Sequence, residues 1–138
     1  MAVQLCDNIT QIPFAGQHGN LNNANDGKTL AAAAIADTID FVTIPAASKI
    51  VDAHMVNAAL GASTTVSLGW RYKDGTAGGS ATAILAATST VAAARTNMTA
   101  APITPTLPKD IVVYGTIACG AATGRIDLVV KYQHLGAK

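Results

Sequence analysis

Asp26-Gly27-Lys28-Thr29 ends as a phosphate-binding loop ends, with a lysine placed to reach phosphate oxygens and a hydroxyl beside it. That loop needs a glycine five residues before Gly27, where this chain has Asn22, and it needs a strand leading into it, where the chain reads as polar. The same residues fail as a calcium loop, because Ala24 stands where an oxygen ligand belongs and no glutamate closes the loop. His18, His54 and His134 have no HxH or HxxxH spacing that would put two imidazoles on one metal face, so no metal or cofactor is expected. No Gly-x-Ser-x-Gly element places a serine beside a base and an orienting acid. The pattern excludes every catalytic arrangement it can be tested against, and no enzyme is expected.

Two basic-aromatic pairs, Arg71-Tyr72 and Lys131-Tyr132, have the residue types that stack on nucleic-acid bases. Each tyrosine sits on the inward phase of an alternating segment, which assigns it to a core. With a net charge of +1, a pI near 7.8 and basic residues scattered along the chain, no phosphate backbone is expected as a partner. Cys6 and Cys119 are read as ordinary thiols, and the sequons at Asn8 and Asn97 as chance. "MAVQLCDNITQIPF" lacks the basic start and long apolar stretch of a leader, and no apolar run is long enough for a span, so a protein made in cytoplasm with no membrane partner is expected.

The elements that would carry any site are strands. All eight acidic residues are aspartate, which favours turns over helices, and threonine and glycine are plentiful. A length of 138 residues permits one core. Charged residues make up 12%, about half the usual share, so part of the surface is expected to be covered by a partner or by other copies of the chain.

"TTVSLGWRYKDG" alternates cleanly: Val66, Leu68, Trp70 and Tyr72 share one face, and Asp74-Gly75 ends the strand. Trp70 is placed in the core on this phase. In "TIDFVTIPA", Ile39, Phe41 and Thr43 are expected to face one way and Val42 and Ile44 the other. Ile50 to Leu60 reads as a strand with a bulge near Asn57. Ala81 to Ala94 fits a helical stripe and an alternation equally, and one or two helical turns are expected there. "PITPTLP" is an extended crossing, and Ile111 to Cys119 with Arg125 to His134 form a hairpin with Ile126, Leu128, Val130 and Tyr132 inward. Residues 1–28, rich in Asn and Gly, read as a flexible N-terminal arm outside the core, and residues 29–138 as a single domain. The fold class is all-β: an antiparallel sandwich, most simply a jelly roll.

With these segments in view, the chain resembles the small jelly-roll cement or decoration proteins of tailed-phage capsids. The resemblance runs through the Gly/Asn-rich arm into "FVTIPA", then "LGASTTVSLGWRYKDG", "PITPTLP" and "IVVYGTIACGAATGRIDLVVKY", covering most of residues 38 to 134. It implies a non-enzymatic virion protein on the exterior of an icosahedral shell, tying major capsid proteins together as a homo-oligomer, a dimer or trimer. Within the arm, Ile12, Phe14, His18 and Leu21 are the candidate partner-binding residues. A phage tail, fibre or baseplate domain and a carbohydrate-binding jelly roll are the alternatives.

Overall fold

Residues of period-two hydrophobicity can bury one face only by stacking two sheets, and that is how this chain folds. The computed structural model describes residues 1–6, 9, 21–100 and 107–135, and no helix occurs among them. Nine strands follow in order: β1 Val3–Leu5, β2 Leu21–Ala33, β3 Thr38–Ile44, β4 Ser48–Asn57, β5 Thr65–Tyr72, β6 Ser80–Ser89, β7 Ala94–Asn97, β8 Ile111–Ala118 and β9 Ala122–His134. One sheet has the order β1-β3-β8-β5-β6 and the other β2-β9-β4-β7. Without β1, those two orders are the eight-strand arrangement of a jelly roll. β1 is an addition, joining β3 in parallel at the sheet edge.

The hairpin β8–β9 is as expected. Ile126, Leu128, Val130 and Tyr132 are fully buried, and the intervening residues face out. The Tyr132 ring contributes the largest fully buried side chain, and its hydroxyl finds no partner among the described residues. Burial without a hydrogen bond pushes that phenol's pKa up. Cys6 lies in the core and Cys119 is exposed; both are free thiols.

Four expectations change. In β3, Asp40 stands opposite Tyr114 and Val42 opposite Val113, leaving Phe41 as the extra residue of a bulge. Both Phe41 and Val42 then serve the core with Ile39 and Ile44, while Thr43 takes the opposite side of the sheet, where it is itself buried and its hydroxyl donates to the Ile9 carbonyl at 3.1 Å. β4 starts at Ser48 and ends at Asn57, and its bulge falls at Val51.

The expected helical turns within Ala81 to Ala94 are absent. β6 is an edge strand whose Ser80 faces Trp70 and whose Leu85 faces Leu68, so it spends five residues where β5 spends two. The slack puts the adjacent Ile84 and Leu85 both into the core, and it blurs the alternation that a regular strand would have shown. The chain there runs so close to Gly69 that a Cβ at that position would collide with the backbone of Ser80 and Ala81.

The boundary at residue 28 also moves. Residues 21–28 are the start of β2, paired with Lys131, Val129 and their neighbours in β9, and Val3 to Leu5 are paired with Thr38 to Asp40. Polar Asn and Asp can stand in a strand here because β2 is an edge, where only one side of the backbone must find partners.

Candidate interaction surface

The outward faces of the two sheets differ in chemistry. The strands of the five-stranded sheet hold two charged side chains, Asp40 and Arg71. Those of the four-stranded sheet hold Lys49, Arg95, Arg125 and Lys131 against Asp52 and Asp127 on the outward side, a net charge of +2, with Asp26 and Lys28 on the inward phase of β2.

On the five-stranded sheet the two charges cancel locally. Arg71 Nη2 lies 2.8 and 2.6 Å from the two carboxylate oxygens of Asp40, and the guanidinium sits 4.7 Å over the Tyr114 ring. Asp40 stands beside Leu5 on one side and Tyr114 on the other, and Thr38 stands beside Val3 and Thr116. Val3 and Leu5 are 50% and 53% exposed. The face therefore carries a neutral cluster of Tyr, Arg, Leu and Val, the residue types that anchor contacts in protein interfaces.

At the edge of this face, Asp37 ties down the start of β1. Its Oδ1 accepts from the Ala2 N–H at 2.6 Å and its Oδ2 from the Ala34 N–H at 2.9 Å. Those bonds favour the carboxylate and hold its pKa below the usual value.

The four-stranded face is a ladder of charges. Arg125 and Asp127 pair at 2.6 Å over Gly27, where a Cβ would meet the Asp127 carboxylate, and Lys131 approaches Asp52 at 3.7 Å. His54 lies between Val129 and Asn97. Desolvation holds its pKa below the ordinary value, with Arg95 repelling the proton and Asp52 partly opposing that.

Each open edge is blunted in its own way. β1 and β7 are only 3 and 4 residues long, and β6 is broken by two register shifts. β2 is long, but its half-buried Asp26 and Lys28 stand opposite the buried Leu128 and Ile126, so charge points toward the seam between the sheets. Short, bulged and inwardly charged edges all resist strand addition, which leaves faces rather than edges for association.

An open cleft of about 420 Å³ lies at the far end of β5, lined by Lys73, Asp74, Lys109 and Asp110. Lys109 Nζ donates to Asp74 and to Thr76 Oγ1, both at 2.8 Å, which pulls the Asp74 pKa well down. Its charges tie two loops together. Among the described residues no group of three or more His, Cys or acidic side chains could hold a metal.

Of the residues singled out in the sequence, Ile12, Phe14 and His18 lie outside the described residues. Leu21 opens β2 opposite Gln133 and is 59% exposed. Sequence reasoning missed Val3, Leu5 and Tyr114, because a strand of three residues is too short to show alternation. Trp70 keeps its inward phase but reaches only the core's margin, half-buried, edge-on to Tyr72 with ring centroids 5.3 Å apart.

No protein-family model matches the chain, and neither does any curated protein. Solved phage capsid structures contain chains that share its fold. A chain in the capsid of Ralstonia phage GP4 is 19% identical with a TM-score of 0.77, the match covering 99% of this chain and 100% of that one. A chain of the cyanophage Pam1 capsid asymmetric unit is 17% identical with a TM-score of 0.63, over 88% of this chain and 89% of that one. A chain in the acid-stable capsid of the Helicobacter pylori bacteriophage KHP30 is 18% identical with a TM-score of 0.61, over 85% and 90%. At these identities the likeness is one of fold, and with the GP4 capsid chain it extends over the full length of both molecules.

Proposed function

We propose that this chain is a structural virion protein of a tailed phage, a cement or decoration protein that sits on the outside of an icosahedral capsid and braces contacts between major capsid proteins. The observation that carries the reading is the match in fold to a chain of the GP4 capsid, over 99% of this chain and 100% of that one. The surface supports it. A small, low-charge sandwich with blunted edges is suited to binding repeated sites through many weak contacts, which add up through multivalency. The chain associates with its own copies as well as with the major capsid protein, and the segment carrying Ile12, Phe14, His18 and Leu21 contributes contacts to the latter.

Particles made with and without this chain test the proposal. Shells of unchanged diameter should form in its absence, release their contents at a lower temperature, and regain heat resistance when the chain is added back in hundreds of copies per particle. Failure to form any shell would make it the principal shell subunit instead. Recovery only with tails, in tens of copies, would favour a tail, fibre or baseplate role, and sugar-dependent retention on a glycan array would favour a carbohydrate-binding one.

A further inference from the structure

We infer that the bond between Met1 and Ala2 is hydrolysed in the mature protein, and that the α-ammonium this leaves on Ala2 pairs with the buried carboxylate of Asp37. Asp37 is 5% exposed, and no lysine, arginine or histidine pairs with it among the described residues. A carboxylate withdrawn from water in this way is costly unless a partner of opposite charge answers it. Two backbone N–H groups serve it instead, Ala34 at 2.9 Å and Ala2 at 2.6 Å. The second contact is shorter than the range of about 2.7 to 3.2 Å usual for an N–H donor, so the nitrogen of residue 2 is already seated against the carboxylate.

Met1 contributes nothing to that seat. It is 94% exposed, no hydrogen bond holds it among the described residues, and the alanine after it is exposed as well. A host peptidase that takes methionine off a chain needs a small side chain in the second position, and alanine supplies it. Hydrolysis adds water across the amide: the hydroxyl goes to the Met1 carbonyl carbon, which departs as a carboxylate, and the nitrogen kept by Ala2 takes up protons and becomes an ammonium. That nitrogen need not move. The contact with Asp37 changes from a peptide N–H bond into an ammonium–carboxylate pair.

The fold gains an anchor. β1 has three residues, is paired on one side only, and leaves Val3 and Leu5 half exposed, so little burial holds it. Its ends are fastened by the Ala2 carbonyl, which accepts from the Thr38 N–H at 2.9 Å, and by the Cys6 N–H, which donates to the Asp40 carbonyl at 3.1 Å. The ion pair reinforces the first of these. On the elements around it, the other titratable groups are Asp40, bonded to Arg71, Tyr114 beneath that guanidinium, and the thiols of Cys6 and Cys119. None is a cation, and the inference is independent of the virion role.

Intact-mass measurement on the full chain made in bacteria is the first test, and the mass should lack one methionine. Melting followed from about pH 7 to about pH 10 is the second. Pairing raises the folded pKa of the ammonium above the ordinary α-amino value of about 7.7 to 8.0, so its stabilisation is complete below that value and is lost as the pH rises through the higher folded one. Over this range the wild-type melting temperature should fall by about 3 to 6 °C more than that of Asp37→Asn. Ala2→Leu, whose second residue is too large for the peptidase, should keep Met1 and show the same small fall as Asp37→Asn. The other titrating groups are present in all three proteins, so the difference isolates the pair. Retention of Met1 by the wild-type chain overturns the inference, and so does an equal alkaline fall in all three. If Asp37→Asn fails to fold, wild type against Ala2→Leu decides, since residue 2 is exposed. None of these outcomes bears on attachment to a capsid, which the particle experiment judges separately.

Discussion

Phe41 lies directly over Gly115, with its Cε2 placed 3.1 Å from where a Cβ on residue 115 would stand. The bulge in β3 drives the ring inward, and the strand opposite makes room by having no side chain at that place. Val66 Cγ1, at 3.4 Å from the same point, closes the other side. Gly115→Ala should therefore cost about 1 to 3 kcal/mol by overpacking, read as a lower urea midpoint at unchanged slope. A stability equal to wild type would mean that the ring has space to move.

Ala36, in the turn between β2 and β3, has a φ of 71°, a conformation that crowds any Cβ. Ala36→Gly should stabilise the protein by about 0.5 kcal/mol, the relief of strain being partly offset by the freedom glycine gives the unfolded chain. Thermal melting of the two proteins side by side checks the sign.

Asp37 makes part of the fold sensitive to acid. Its pKa is lowered by the Ala2 and Ala34 N–H groups, so the folded state binds its proton less readily than the unfolded chain does. The stabilisation it provides is complete above the ordinary aspartate pKa of about 3.9 and is lost as the pH falls through the lower folded value. Asp37→Asn should weaken the protein at neutral pH and flatten the loss below about pH 4. Identical acid dependence in both proteins would show that other carboxylates carry the effect.

Trp70 was expected deep in the core, where truncation to alanine costs about 3 to 5 kcal/mol. At the margin, with its contacts divided between the core and Tyr72, the cost of Trp70→Ala should be nearer 2 kcal/mol, measured by denaturant unfolding. A loss above 4 kcal/mol would restore the deep-core reading.

Deleting residues 2–26 tests the revised boundary. An arm outside the sandwich could go without harm to the fold, but these residues include all of β1 and the part of β2 paired with residues 128–133. The truncated chain should melt at a clearly lower temperature, with the exposed flank of β9 promoting aggregation. An unchanged melting temperature would return both segments to the arm.

Strands β5, β8 and β9 were legible because each is central enough to be buried on one face and regular enough to alternate without interruption. The bulged strands were legible as strands, yet their faces were misread. One extra residue at Phe41 inverts the phase that follows it, and nothing in "TIDFVTI" announces where that residue will fall. β6 was obscured by its alanines, which suit a helix as well as an edge. β2 was hidden by composition, since its inward positions include Asn22, Ala24 and Lys28, which give no hydrophobic signal. The neutral cluster on the five-stranded face emerged only with the topology. Leu5, Asp40, Arg71 and Tyr114 come from four different strands, and no spacing along the chain relates them.

The placement of β8 and β9 has a consequence for the timing of synthesis. β8 lies between β3 and β5, and β9 lies between β2 and β4, so each sheet has a gap in its middle until the last quarter of the chain has left the ribosome. At about 5 to 20 residues per second, the earlier strands wait for several seconds with apolar faces uncovered. Folding must then close pairings as distant as Leu21 with Gln133, which is slow for a sandwich of this kind. A nascent chain built in this order is exposed to chaperones for nearly its whole translation, and its yield in a cell should depend on them more than its final stability would suggest.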